Sequence, residues 1–312
     1  MKHMEKYEEA VLCFDKAILL NPDPSSYCKK GIALKEIGRN EEAVDCFDKV
    51  ISLDQNYSDA YTSKGYALVN LGRNEEAVDC FSQAINLNPD DIDAYFGKGH
   101  ILFKMGDNEE AFHCYDKANS LDPDGLKAYF NKSLVLKEMG KNEEAIACYN
   151  EMIRIDPNNA LAYFNQGDIL RELGKYEEAL NCFDKAISLD PDHSNAYFQK
   201  GNVLYLLGKN DEAIACYNET IRLDSSFADA YYNKGIVLDE MGKKDEAIEC
   251  YDEAIRVDST FIGAYLNKGI LLDEMGKYEE TINCYDKVIS LDPNHTKALH
   301  NKALALAKLG NK

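Results

Sequence analysis

The sequence has no tryptophan, and among 312 residues it has only 7 prolines and 6 histidines. It is short of positive charge: 35 lysines and arginines stand against 55 acids, a formal charge of −20. That balance excludes a nucleic-acid binder, which needs a basic footprint to displace counterions. No apolar run approaches the ~18 residues of a membrane span. The opening Met1-Lys2-His3-Met4-Glu5-Lys6 is charged and lacks the apolar core of a secretion signal, so the expected setting is cytoplasmic. There is no P-loop and no Gly-x-Gly-x-x-Gly; the close pair Gly97 and Gly99 lies inside a helical pattern. His3, His100, His113, His193, His295 and His300 are scattered, and no Cys-x-x-Cys pair exists to build a zinc site. No cofactor, no metal and no catalytic residue is expected, and the chain is not read as an enzyme.

What is present is a 34-residue period. Small residues recur at Gly31, Gly65, Gly99, Ser133, Gly167, Gly201, Gly235, Gly269 and Ala303. A glycine series runs in parallel through Gly38, Gly72, Gly106, Gly140, Gly174, Gly208, Gly242, Gly276 and Gly310. An alanine series follows from Ala43 to Ala247 and breaks at Thr281. Each unit reads as two helices. Helix A runs, for example, from about Ser194 to Leu207 and stops at Gly208, a residue suited to a left-handed cap. Helix B runs from about Asp211 to Asp224, with Asn40, Asn74, Asn108, Asn142 and Asn210 expected as N-caps of the B helices. Acidic pairs such as Glu75-Glu76 and Asp211-Glu212 open these helices, where carboxylates favour the helix dipole; a continuous ridge for basic partners is the alternative.

The unit Ala196-Tyr197-Phe198-Gln199-Lys200-Gly201, followed by Leu207-Gly208, Ala213, Tyr217 and Leu223-Asp224, resembles the tetratricopeptide repeat. Tyrosine (Tyr27, Tyr61, Tyr95, Tyr129, Tyr163, Tyr197, Tyr231, Tyr265) stands where that family has its first tryptophan. The resemblance covers nearly the whole chain. It implies an all-α, right-handed superhelical solenoid of about 18 helices, with A helices lining a concave groove. The array is expected to be one domain over 1–312. Residues 1–23 supply a half repeat with helix B only, 24–295 supply eight full repeats, and 296–312 a half repeat with helix A only.

On a helical wheel, Ala162, Tyr163, Gly167, Ile169, Leu170 and Leu173 share the packing arc of one A helix. The opposite arc holds Leu161, Phe164, Asn165, Asp168, Arg171 and Glu172 and is expected to face the groove. The lysines at 30, 64, 98, 132, 200, 234, 268 and 302 fall on the packing side, so their stems are expected between helices with the ammonium reaching an acid or water. Nine cysteines share one repeat position, Cys28 being the tenth; they read as small packing residues held as free thiols.

Two ladders mark the expected binding groove. The first is aromatic: Phe96, Phe130, Phe164, Phe198 and Tyr232, with Phe103 and Tyr205 two turns along. Its rings either pack on neighbouring A helices or remain partly open. The second is amide: Asn131, Asn165, Gln199, Asn233, Asn267 and Asn301. Side-chain amides can pair with a peptide backbone of any sequence, although asparagine at this position can also be simply structural. The ladder is similar to the asparagine ladder of O-GlcNAc transferases and kinesin light chains. Lys104, Lys127, Lys137 and Arg171 give the middle positive charge, and Asp229, Asp239, Glu240, Asp273 and Glu274 make the later part negative. The expected function is a scaffold binding an extended peptide or protein segment in the groove. The alternative is a structural array that self-associates end to end. Neither nucleic acid nor membrane is expected as a partner.

Overall fold

A computed structural model describes residues 2–310, and it is all helix and turn. The chain divides into two compact units, Met1–Pro157 and Asn158–Lys312. The first contains α1 (Lys2–Leu20), α2 (Pro24–Glu36), α3 (Asn40–Leu53), α4 (Ser58–Asn70), α5 (Asn74–Leu87), α6 (Ile92–Met105), α7 (Asn108–Leu121), α8 (Leu126–Glu138) and α9 (Asn142–Ile155). The second contains α10 (Ala160–Glu172), α11 (Tyr176–Leu189), α12 (Ser194–Leu206), α13 (Asn210–Leu223), α14 (Ala228–Glu240), α15 (Lys244–Val257), α16 (Ile262–Glu274), α17 (Tyr278–Leu291) and α18 (Thr296–Gly310). Even-numbered helices are the A helices and odd-numbered ones the B helices. Within each unit, every helix packs most closely on its chain neighbours, and successive A helices meet more closely than successive B helices. The A helices therefore form the inner side of each unit.

The turn from A to B is the same throughout. At Gly208, φ is +73°, a conformation that costs a side-chain-bearing residue strain. The Lys209 amide then reaches back to the Leu204 carbonyl at 2.9 Å, closing the helix end as a Schellman motif. Gly310, the last of its series, is instead the final residue of α18.

The expected asparagine N-caps are displaced by one residue. Asn40, Asn74, Asn108, Asn142 and Asn210 are the first residues of their helices, and the caps are Arg39, Arg73, Asp107, Lys141 and Lys209. Four of these caps cannot accept a hydrogen bond from the helix. Arg39 and Arg73 instead turn their guanidinium groups onto Glu42 and Glu76, at 2.5 to 2.7 Å. Asp107 does accept, from the Glu110 amide.

Each repeat's core is an aromatic ring from helix B laid against the small residue of helix A. A methyl group added at Gly201 would stand 2.8 Å from the Tyr217 ring, and one at Gly65 would stand 2.7 Å from Phe81. The rings of Phe47, Phe81, Tyr115, Tyr149, Phe183, Tyr217, Tyr251 and Tyr285 are essentially fully buried. Ser133 takes the glycine's place once, buried, its hydroxyl donating to the Phe130 carbonyl at 2.6 Å.

The lysine series finds its acids in the preceding B helix. Lys30 meets Asp15 at 2.6 Å, Lys64 meets Asp48 at 2.5 Å, Lys132 meets Asp116 at 2.5 Å and Lys200 meets Asp184 at 2.6 Å; Lys268–Asp252 and Lys302–Asp286 are equivalent pairs. The lysine stems are largely covered while the carboxylates are about half exposed. Ser82 and Asn218 occupy the acid's position opposite Lys98 and Lys234. All ten cysteines are free thiols; eight are buried, Cys182 is half-buried and Cys13 is exposed. Burial pushes the Cys148, Cys216 and Cys284 thiols up to about 11, which makes them poor nucleophiles.

Candidate functional site: the A-helix face

The aromatic ladder is half-buried, so both readings of it hold in part. In the second unit each ring lies between two others. Phe164 stands 6.0 Å from Phe183 and 4.7 Å from His193. Phe198 stands 6.0 Å from Tyr217 and 4.8 Å from Phe227, and Tyr232 stands 5.9 Å from Tyr251 and 4.9 Å from Phe261. One neighbour comes from the B helix of the same repeat. The other is the residue just before the next A helix, an aromatic column that the sequence reading did not single out. Tyr205 is half-buried and donates to Glu240 Oε1 at 2.6 Å, which with burial pushes its hydroxyl up to about 12.

The amide ladder has internal partners. Asn301 Nδ2 donates to the Tyr285 hydroxyl at 3.4 Å. Asn233 Nδ2 also donates to Asn202 Oδ1 at 2.9 Å, which accepts from Tyr217 as well, and Asn202 Nδ2 donates to Gln199 Oε1 at 3.2 Å. Asn267 Nδ2 reaches the Tyr232 hydroxyl at 3.2 Å. Asn165 turns its amide onto the Leu161 carbonyl of its own helix at 2.8 Å. The residue types follow this pairing. Sixteen positions after a B-helix tyrosine comes asparagine (Tyr115/Asn131, Tyr217/Asn233, Tyr251/Asn267, Tyr285/Asn301), and after phenylalanine another residue (Phe47/Ser63, Phe81/Gly97, Phe183/Gln199). At Tyr285 the A-face asparagine thus satisfies a hydroxyl that would otherwise be buried alone.

The groove's charges are unequally free. Arg171 is held by Asp168 at 2.7 Å and by Glu172 at 3.7 Å. Glu274 meets Lys244 and Asp273 meets Lys308, each at 2.6 Å. Burial, with Glu274 and Glu240 beside it, raises the Asp239 carboxyl above its ordinary value. Among the described residues neither Lys104 nor Lys127 has an ion-pair partner.

The first unit carries an open hollow on this face that the sequence ladders did not anticipate. A cavity of about 340 Å³ is lined by Tyr66 of α4, Phe96, Gly97 and His100 of α6, Tyr115 of α7, and Lys127 and Asn131 of α8. Its origin is legible in two interruptions. Gly97 stands where later repeats carry the amide, and Gly125 stands where the second unit carries His193, Phe227 and Phe261. Phe96 therefore keeps its B-helix neighbour, Tyr115 at 5.8 Å, and lacks the second ring; Lys127 Nζ stands 4.7 Å from its centroid instead. Burial, then Lys104 and Lys127, lower the His100 pKa, so its imidazole is neutral near pH 7. Of the other expected residues in this unit, Phe103 packs beside Leu102, Cys114 and Tyr115, Phe130 is half-buried on α8, and Asn131 Nδ2 donates to the Lys127 carbonyl at 2.9 Å.

Among the described residues no cluster of His, Cys, Asp or Glu could hold a metal ion. No described helix is long and apolar enough to cross a membrane.

Tetratricopeptide repeat models match residues 65–106, 134–168, 167–208 and 201–242 in one version, 92–124, 228–261 and 263–295 in a second, 46–79 in a third, and 2–24 and 24–57 in a fourth. No curated protein matches the chain in sequence. Among solved structures it is similar to YrrB, a TPR protein with an unusual peptide-binding site, at 25% identity over 61% of this chain and 97% of that one, TM-score 0.51. It is similar to MamA from Desulfovibrio magneticus RS-1 at 26% identity over 55% and 96%, TM-score 0.51. A tetratricopeptide repeat protein from Parabacteroides merdae, 20% identical over 81% and 99% with TM-score 0.59, shares the fold. With helix pair, period, turn glycine and family models in agreement over residues 2–295, the chain belongs to the tetratricopeptide repeat family, whose arrays are protein-interaction scaffolds.

Proposed function

We propose that the protein holds extended segments of partner proteins along the A-helix faces of its two units. The observation that carries this reading is the row of half-exposed rings, Phe164, Phe198 and Tyr232, at one position of successive A helices. Rings spaced one repeat apart offer apolar seats at intervals. The amides support this in a reduced form: their first partners are internal, and each keeps a carbonyl lone pair or an N–H for a ligand backbone. Charge divides the two faces. Lys104 and Lys127 suit an acidic segment in the first unit, and Asp239 with Glu240 suits a basic one in the second. The similarity to YrrB, itself a peptide-binding repeat protein, agrees with this reading.

The test is a double change in the second unit, Phe164→Ala with Asn165→Ala. Affinity is measured by calorimetry against a peptide selected from a random library on the whole protein. A loss of about tenfold or more is expected for a hot-spot ring. Unchanged affinity, with helicity and melting intact, moves the site off this face.

A second reading, self-association, is favoured by one observation. Leu12, Leu19 and Leu20 of α1 are 62, 85 and 88% exposed, and Leu299, Leu304 and Leu306 of α18 are 44, 47 and 48% exposed. These leucines lie on the first and last described helices, and two copies could cover them against each other. Light scattering that reports a monomer at every concentration removes this reading.

A further inference from the structure

The B-helix side of the first unit holds a lysine whose acid is missing. Six lysines of the series are paired with an aspartate of the preceding B helix, four of them at 2.5 to 2.6 Å. Beside the paired lysine the helices leave an open hollow. It measures about 260 Å³ at Lys132, where its walls include Glu144, Ala147 and Glu151, and about 270 Å³ at Lys268. At Lys98 of α6 the aspartate's place is taken by Ser82 of α5, whose hydroxyl turns back onto the Val78 carbonyl of its own helix at 2.7 Å. Lys98 is half-buried like the paired lysines, and among the described residues it has no ion-pair partner. The flanking residues differ as well. Where the Lys132 hollow has Ala147 and Glu151, the wall beside Lys98 has His113 and Lys117, both exposed, and Glu110 stands where that hollow has Glu144. Lys234 also lacks its acid, Asn218 standing in that place, but Glu246, Glu249 and Glu253 line its wall.

We propose that the groove over Lys98, between α5 and α7 on the B-helix side, docks an acidic segment of a partner protein, whose aspartate or glutamate takes the missing acid's place on the Lys98 ammonium while a neighbouring acid meets Lys117 and His113. The site uses none of the A-face ladders, so it stands or falls separately from the binding reading given above. A half-buried ammonium has given up part of its hydration, and a carboxylate that pairs with it restores the lost interaction. The repeat itself shows the seat, since six carboxylates occupy it in register on an unbroken helix pair. The Lys98 stem is already half-covered, so pairing costs little further ordering. Charge selects the place. A surface of net charge −20 repels acids in general. At Lys234 the three glutamates repel them locally and already compensate the ammonium, whereas His113 and Lys117 offer donors beside Lys98.

The experiment adds to the whole protein a hexapeptide of alternating aspartate and alanine, acetylated and amidated so that only side-chain carboxylates are present. Binding is followed by the His113 ring protons in NMR and by protection of Lys98 from an amine-acylating reagent, mapped by mass spectrometry. The peptide is expected to shift His113, to slow acylation of Lys98 and Lys117 but not of Lys234, and to weaken as salt rises. Ser82→Asp, which installs the acid that six repeats carry, and Lys98→Gln are each expected to weaken it by about tenfold. Phe164→Ala with Asn165→Ala is expected to leave these readouts unchanged, which separates this surface from the A face. Ser82→Asp should melt no lower than the parent; a fall shows that no acid fits opposite Lys98 and overturns the proposal. It is overturned equally if the peptide leaves His113 unmoved at several millimolar, or if it binds both variants as well as the parent. Inorganic phosphate that gives the same shifts and protection at equal concentration marks a general anion site instead, and the docking proposal falls.

Discussion

Asn119 of α7 occupies the position where the other repeats carry Ile51, Ile85, Ile153, Ile187, Ile221, Ile255 and Ile289. It is 7% exposed, and neither its Nδ2 nor its Oδ1 has a hydrogen-bond partner. An unsatisfied buried amide costs about 1–3 kcal/mol. Isoleucine would remove that penalty and add buried apolar surface, with a gain of up to about 1.5–3 kcal/mol if it were fully covered. The isoleucines at equivalent positions are half-buried, and fitting the larger side chain requires a small local shift. A net stabilisation of about 2 kcal/mol is therefore expected for Asn119→Ile. Asn119→Asp, which buries a charge in the same place, should destabilise by at least as much. Urea unfolding gives the global change. Hydrogen exchange gives the local one, and protection should rise first in the amides of α7 and α8, because a repeat array opens by neighbourhoods. An Asn119→Ile protein that is no more stable than the parent, or less stable, would show that the amide is satisfied or that the site is shaped for it, and the reasoning from unpaired atoms would fail.

Three further outcomes are expected. Lys132→Ala should lower stability by about 1 kcal/mol and do so nearly as much in high salt. The covered stem contributes more than the pair with the half-exposed Asp116; loss of the whole effect in 1 M salt would refute this. Asp239→Asn should raise the melting temperature near pH 7 and leave it unchanged near pH 3. Burial and then Glu274 hold the native carboxyl above its unfolded value, so its favourable contribution is full below the ordinary carboxylate pKa and is lost as pH rises through the raised one; equal melting shifts at both pH values would contradict the assignment. Thiol labelling of the native protein should modify Cys13 first, Cys182 next, and the eight buried cysteines only as fast as the helices open.

The period, the helix pair and the turn glycine were readable because each rests on a local rule that the sequence repeats: a small residue under a ring, a left-handed cap, an apolar arc. Contacts between elements were harder. The acids that meet Lys64, Lys132 and Lys268 lie sixteen residues back on another helix, beyond the reach of a single-helix wheel. The offset was present all the same, since Asp48, Asp116 and Asp252 recur in step with the lysines. The same spacing joins Tyr285 to Asn301, and missing it let the asparagines read as free to bind. The N-cap error had another cause. Asn40 follows Gly38 by two residues, and the turn needs that extra residue, Arg39, before helical geometry begins. The cavity could not be read from what is present at all, because it arises from side chains missing at Gly97 and Gly125.

The tyrosine–asparagine correspondence constrains how such a chain can be lengthened or recombined. Cutting the array at the turn between a B helix and the next A helix separates Tyr285 from Asn301, so a block excised there carries a hydroxyl whose partner stays behind. Joined to a block beginning like the one that contains Gly97, it would create a seam with an orphaned phenol; joined in the reverse sense, an asparagine would face a phenylalanine. The exchangeable cassette is therefore not the helix pair but a segment offset from it by half a helix, running from the middle of one A helix to the middle of the next. Duplications with those endpoints keep every seam matched, and chimeras built on the helix pair accumulate one mismatch at each junction where tyrosine meets a phenylalanine-type neighbour.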